Sequence, residues 1–205
     1  MSQELRKAHF VIDDDLNELD YIKTQYYANR SNSETRTVVI YPTSDCNFNC
    51  IYCLRGSQNS GSMTKEIENK VLDFASNFTK GFRRLKVGWS GGEPTLALDI
   101  VCRLSKNLMQ IARERGQLYY SGITTNGYLL TKERALELKE CGISDAAITI
   151  DGPPEIHNHR RPLKNGKGTF DVILQNVKET VDVLNLVLMT YLDEQNVDAF
   201  PELLS

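Results

Sequence analysis

Long apolar runs are missing from this 205-residue chain. No stretch approaches the ~18 consecutive apolar residues of a membrane span, and no basic start with an apolar core opens the sequence. Neither a membrane protein nor a secretory leader is expected, and the cytoplasm is the default compartment. Charge of one sign is missing as well: 24 Lys and Arg stand against 27 Asp and Glu, a net charge of -3. That balance gives no basic surface for nucleic acid or anionic lipid. Histidine is scarce, with only His9, His157 and His159, none at a zinc-finger spacing. Low-complexity tracts and strong repeats are absent too. What remains, 40% hydrophobic and 25% charged residues, is the composition of a chain that buries a core.

Hydrophobic spacing then alternates between two periods. Leu16, Leu19, Ile22 and Tyr26 predict an amphipathic helix in an N-terminal extension, residues 1–35, that also holds the acidic Asp13–Asp15 and a Ser31–Ser33 loop. A β-branched run at 38–41 opens the main domain, residues 36–205. Strands follow at 84–89, 118–124, 146–150 and 186–192, with helices at 63–78, 98–115, 131–140 and 169–184, and another helix starting near 198. Thr64 and Thr131 read as N-caps, Gly116 and Gly142 as stops, and Ile67, Val71, Phe74 and Phe78 share one helical face. Strand–helix alternation predicts an α/β fold of about five parallel strands with crossover helices, a partial barrel open at one edge.

Five cysteines is an odd number, and three of them, Cys46, Cys50 and Cys53, fall within eight residues. Without a leader, such a cluster reads as metal binding and not as a disulfide framework. Structural zinc usually takes four ligands in two separated pairs; a four-iron cluster takes one thiolate per iron. Only three thiols are local. Cys102 lies mid-helix and Cys141 just before Gly142, where buried, inert thiols are expected. A cluster on three protein ligands leaves one iron open to a small molecule.

Three further strands end in polar or glycine-rich signals: Gly91-Gly92-Glu93-Pro94, Thr124-Thr125-Asn126-Gly127 and Asp151-Gly152-Pro153. Each alone is a common turn. Together they lie on the C-terminal edge of the sheet, where β/α barrels assemble active sites.

On these residues the sequence resembles the radical S-adenosylmethionine (AdoMet) superfamily. Its C-x3-C-x-aromatic-C motif is matched by Cys46, Cys50, Tyr52 and Cys53, and its Gly-Gly-Glu-Pro segment by residues 91–94. The resemblance implies a [4Fe-4S] cluster on the three cysteines. It also implies reductive cleavage of AdoMet to a 5′-deoxyadenosyl radical that abstracts hydrogen from a substrate. Implied AdoMet contacts are the Gly91 and Gly92 backbone, Glu93 toward the ammonium group, Tyr52 beside the adenine, Asn126, Thr149 and Arg161. No single catalytic residue is singled out. The stretch from Thr149 through Asp151-Gly152-Pro153 to His157 and Arg161 resembles the sulfatase-maturating, SPASM-type peptide maturase branch, with Asn158 where that branch shows Asp.

A peptide or protein substrate and an electron donor such as flavodoxin or ferredoxin are therefore expected. The chain stops in mid-helix, so truncation before a SPASM domain is expected, with a C-terminal partner or missing domain covering the open edge. Two other readings stand beside this one: a small-molecule radical enzyme or glycyl-radical activator, and a non-catalytic iron–sulfur module.

Overall fold

The computed structural model describes residues 17–30, 34–54, 61–199 and 202. Asp13–Asp15, Leu16, the Ser31–Ser33 loop and most of the expected last helix lie outside them. The chain divides into two compact units at Glu34/Thr35. In the first, α1 (Glu18–Arg30) starts at Asn17, whose Oδ1 accepts the Asp20 N–H.

In the second unit the β-branched and alternating runs form β1 (Thr35–Ile40), β2 (Arg84–Trp89), β3 (Leu118–Thr125), β4 (Asp145–Thr149) and β5 (Asn185–Met189). They lie in sequence order in one sheet, each neighbouring pair parallel. Parallel neighbours need crossovers, supplied by α2 (Lys65–Phe78), α3 (Leu98–Glu114), α4 (Lys132–Glu140), α5 (Pro154–Arg160) and α6 (Phe170–Thr180). The register aligns the strand ends: Ile40 pairs with Trp89, Trp89 with Ile123, and Thr149 with Met189. All the loops that follow the strands therefore open on one edge.

The core lies between one sheet face and the helices. Val38, Ile40, Leu85, Val87, Trp89, Ile123 and Ile148 point into it, against Leu104 and Leu108 of α3, Leu138 of α4 and Ile173 of α6. Trp89 is fully buried, and its ring N–H donates to Ser121 Oγ at 3.2 Å. Thr64 and Thr131 cap α2 and α4 as expected, each accepting the N–H three residues on.

Three expectations change. Of the apolar face expected on α2, Ile67, Phe74 and Phe78 are exposed, Phe74 by 58%, while Val71 packs against the core. The helix docks through Val71, Leu72, Ala75 and Glu68, whose carboxylate accepts two bonds from Arg103 of α3 at 2.8 and 2.9 Å. Cys102 and Cys141 are buried, but they are not separate thiols. They are joined as a disulfide between α3 and the end of α4, with Cα atoms 5.1 Å apart. Lastly, β5 stops at Met189, and 190–192 leaves the ladder because Thr190 and Tyr191 bond back to Ile150 and Asp151.

Candidate metal centre

β1 runs through Tyr41-Pro42 into the loop that carries the three cysteines. Two other segments grip that loop. On one side the β1–β2 ladder continues past both strands: Ser90 N–H donates to Ile40 O (3.1 Å), Gly92 N–H to Thr43 O (3.1 Å) and Glu93 N–H to Asp45 O (2.7 Å). A Cβ on Gly91 would lie 2.6 Å from Thr43 O, and one on Gly92 2.1 Å from Asp45 O. Gly91 also holds φ at +134°, which favours glycine. The absent side chains thus make room for the cysteine loop's own backbone.

On the other side the loop pairs antiparallel with residues 160–164. Asn49 N–H donates to Pro162 O (2.8 Å), Ile51 N–H to Arg160 O (3.0 Å) and Lys164 N–H to Asn47 O (3.0 Å), with Phe48 opposite Leu163. Residues 160–164 thus brace the cysteine loop.

Cys46 and Cys50 are half-buried, Cys53 is exposed, and none of the three is in a disulfide. With Ser44, Phe48, Asn49, Gly91 and Gly92 they line a cavity of about 60 Å³. Burial raises the pKa of the Cys46 thiol, and it pushes Cys50 up to about 11 although Arg161 pulls the other way. Binding iron must therefore release thiol protons. Among the described residues no three His, Cys, Asp or Glu side chains converge on a single ion. A four-iron cluster asks for something different, thiolates spread around a small cavity with one per iron. The three cysteines fit that group.

Glu93 is 0% exposed. Its Oε1 accepts from Thr95 N–H (3.0 Å), Thr95 Oγ1 (2.6 Å) and Thr125 Oγ1 (2.7 Å), and its Oε2 from Asn126 N–H (2.7 Å). The carboxylate ties the loop after β2 to the loop after β3. Asn126, also buried, donates through Nδ2 to Asn47 Oδ1 at 2.7 Å and so fastens the residue after Cys46. Thr149, buried, ends β4 and pairs with Met189.

Tyr52 joins a buried polar network. Its hydroxyl donates to Asp151 Oδ2 and accepts from Arg161 Nη1, both at 2.5 Å. Burial raises the Tyr52 pKa above its ordinary range. Asp151 Oδ1 accepts from Tyr191 N–H (3.1 Å), its carbonyl accepts from Asn196 Nδ2 (2.8 Å), and its N–H donates to His157 Nδ1 (3.2 Å). Arg160 holds both oxygens of Asp193 at 2.9 Å. Tyr191, Asp193 and Asn196 carry no local sequence signal, since nothing nearby links them to a loop some forty residues earlier. Asn158, where the maturase branch shows Asp, accepts the Thr169 and Phe170 N–H groups (2.7 and 2.9 Å) and anchors the start of α6.

The sheet face away from the helices lines a second cavity, about 440 Å³. Its walls include Lys86, Gly88, Tyr120, Thr124, Asp145 and Ala147.

A parallel sheet whose C-terminal edge gathers three free thiols, a Gly-Gly-Glu turn and an Asn-Gly turn defines a cluster-binding α/β core. The chain belongs to the radical SAM superfamily, whose sequence pattern matches residues 40–205. Members of that family are enzymes that use a [4Fe-4S] cluster and AdoMet. The chain is similar to the Fe-coproporphyrin III synthase of Methanosarcina barkeri, 28% identical over 175 residues, covering 83% of this chain and 40% of the synthase. It is also similar to the probable GTP 3′,8-cyclase of Methanocaldococcus jannaschii, 30% identical over 152 residues, 73% of this chain and 47% of the cyclase. Among solved structures, anSMEcpe with bound AdoMet and Kp18Cys peptide matches with a TM-score of 0.67 at 25% identity, over 82% of this chain and 48% of that one. The chain spans about half the length of these relatives or somewhat less.

Proposed function

We propose that this chain is the radical-generating core of an enzyme that modifies a side chain of a peptide or protein, within the sulfatase-maturating branch. The observation that carries the reading is the assembly at the sheet edge. Three free cysteines surround a small cavity beside Gly91 and Gly92, backed by the Thr149-to-Arg161 segment that resembles the maturases. When bound, the cluster supplies the electron that splits AdoMet into methionine and a 5′-deoxyadenosyl radical.

The chain's own groups bind and orient. Cys46, Cys50 and Cys53 hold the irons, and the Gly91–Gly92 backbone lies against the same cavity. Glu93 and Asn126 lock the surrounding loops, while Tyr52 would line the adenine side of AdoMet and Thr149 would contact it. The 440 Å³ hollow on the open sheet face is sized for one side chain or a small metabolite. A low-potential donor of the flavodoxin or ferredoxin class, in the cytoplasm, fits the need for single electrons. On this reading residues 1–35 are an extension and 36–205 the radical SAM core.

A second reading has its own support: the curated relatives are named for a tetrapyrrole and a nucleotide. The anSMEcpe structure, holding a peptide beside AdoMet, favours the first. The test is substrate-stimulated 5′-deoxyadenosine formation by the reconstituted, reduced protein. A rise with cysteine-containing peptides is expected. A rise with nucleoside triphosphates or porphyrins alone would overturn the peptide reading in favour of the second.

A further inference from the structure

The antiparallel pairing of the cysteine loop with residues 160–164 has a fixed register. Asn49 pairs with Pro162, Ile51 with Arg160, and Phe48 faces Leu163. In that register Cys50 and Arg161 stand directly opposite each other, flanked along the cysteine segment by Phe48 and Tyr52. The Arg161 guanidinium carbon lies 5.8 Å from the Phe48 ring centre and 6.0 Å from that of Tyr52, so it sits above the intervening Cys50. Its Nη1 bonds to the Tyr52 hydroxyl, and Asp151 is reached only beyond that hydroxyl. Arg161 is 7% exposed, and its Nε has no partner among the described residues.

We infer that Arg161 is a positioning residue that places a fixed positive charge against the Cys50 thiolate, favouring the reduced state of the cluster. This rests on the reading of the three cysteines as cluster ligands. Reduction adds one electron to a centre already made negative by its thiolates. A buried cation opposite one of the ligating sulfurs favours that electron, and burial limits solvent screening. Hydrogen bonds and charge around the sulfurs are among the levers that set cluster potentials. This role differs from the ligand grip that the sequence resemblance implies, because the guanidinium is already held by Tyr52.

The test compares wild type, Arg161→Gln and Arg161→Lys after anaerobic reconstitution. Iron per chain is counted first, and the AdoMet-free cluster is then titrated electrochemically with EPR detection. At equal iron content Arg161→Gln should show about a tenfold lower ratio of reduced to oxidised cluster at a fixed potential, ~59 mV for a one-electron couple. Arg161→Lys should stay within roughly twofold of wild type. Loss of iron in Arg161→Gln alone, with Arg161→Lys loaded at the wild-type potential, gives the same support, since charge and not shape is then required. The inference is overturned if Arg161→Gln titrates as wild type, if Arg161→Lys shifts as far as Arg161→Gln, or if both variants lose iron alike. A wild-type chain that holds no four-iron cluster overturns the cluster reading itself, and the iron count separates that failure from the others.

Discussion

His157 is completely buried, with Nδ1 accepting the Asp151 N–H and its ring packed edge-on against Phe170. An accepting Nδ1 means a neutral ring. Burial, helped by the Arg161 charge, pulls its pKa from 6.5 down to about 4. In the unfolded chain the ring protonates near its ordinary value, so between the two values the unfolded state binds more protons. Stability is therefore complete above about pH 6.5 and declines as pH falls toward 4. Between pH 7 and pH 5 the wild type should lose on the order of 2 kcal/mol more than His157→Gln, measured by urea unfolding at both values. Equal losses would contradict a neutral, buried imidazole. The same scale shows what a motif conceals. Glu93 and Asn126 were legible as residues of a functional edge, but not their bonding to Thr95, Thr125 and Asn47, which depends on contacts more than thirty residues apart or on side-chain rotamers.

At the scale of elements, the strands and most helices were legible because hydrophobic period and capping residues act locally. The short α5 was missed because its residues, Pro154 to Arg160, carry no apolar stripe and begin within the Pro153-Pro154 pair. The antiparallel support of the cysteine loop was missed for another reason: its two halves lie more than a hundred residues apart. For α2 the period was right and the buried face was shifted. Val71, Leu72 and Ala75 meet the core and the Glu68–Arg103 pair adds a polar contact, so Ile67, Phe74 and Phe78 turn outward. Phe74→Ser should accordingly change stability by no more than about 0.5 kcal/mol. Ala75→Leu should cost about 1–3 kcal/mol by overpacking. Denaturant unfolding of the two variants checks this, and the reverse ranking would mean that the helix docks by its phenylalanines.

For the whole molecule, the parallel register brings four separate loops to one edge, and the family's chemistry needs only that edge to hold a cluster and AdoMet. The chain covers about half the length of its relatives or somewhat less. On the proposed reading this core generates the radical. The most direct measurement is 5′-deoxyadenosine released when the anaerobically reconstituted, reduced protein is given AdoMet. The wild type should form it, and Cys50→Ala should lose both the cluster absorbance and the product. A folded wild type carrying its full complement of iron that binds AdoMet and releases no 5′-deoxyadenosine would contradict the account.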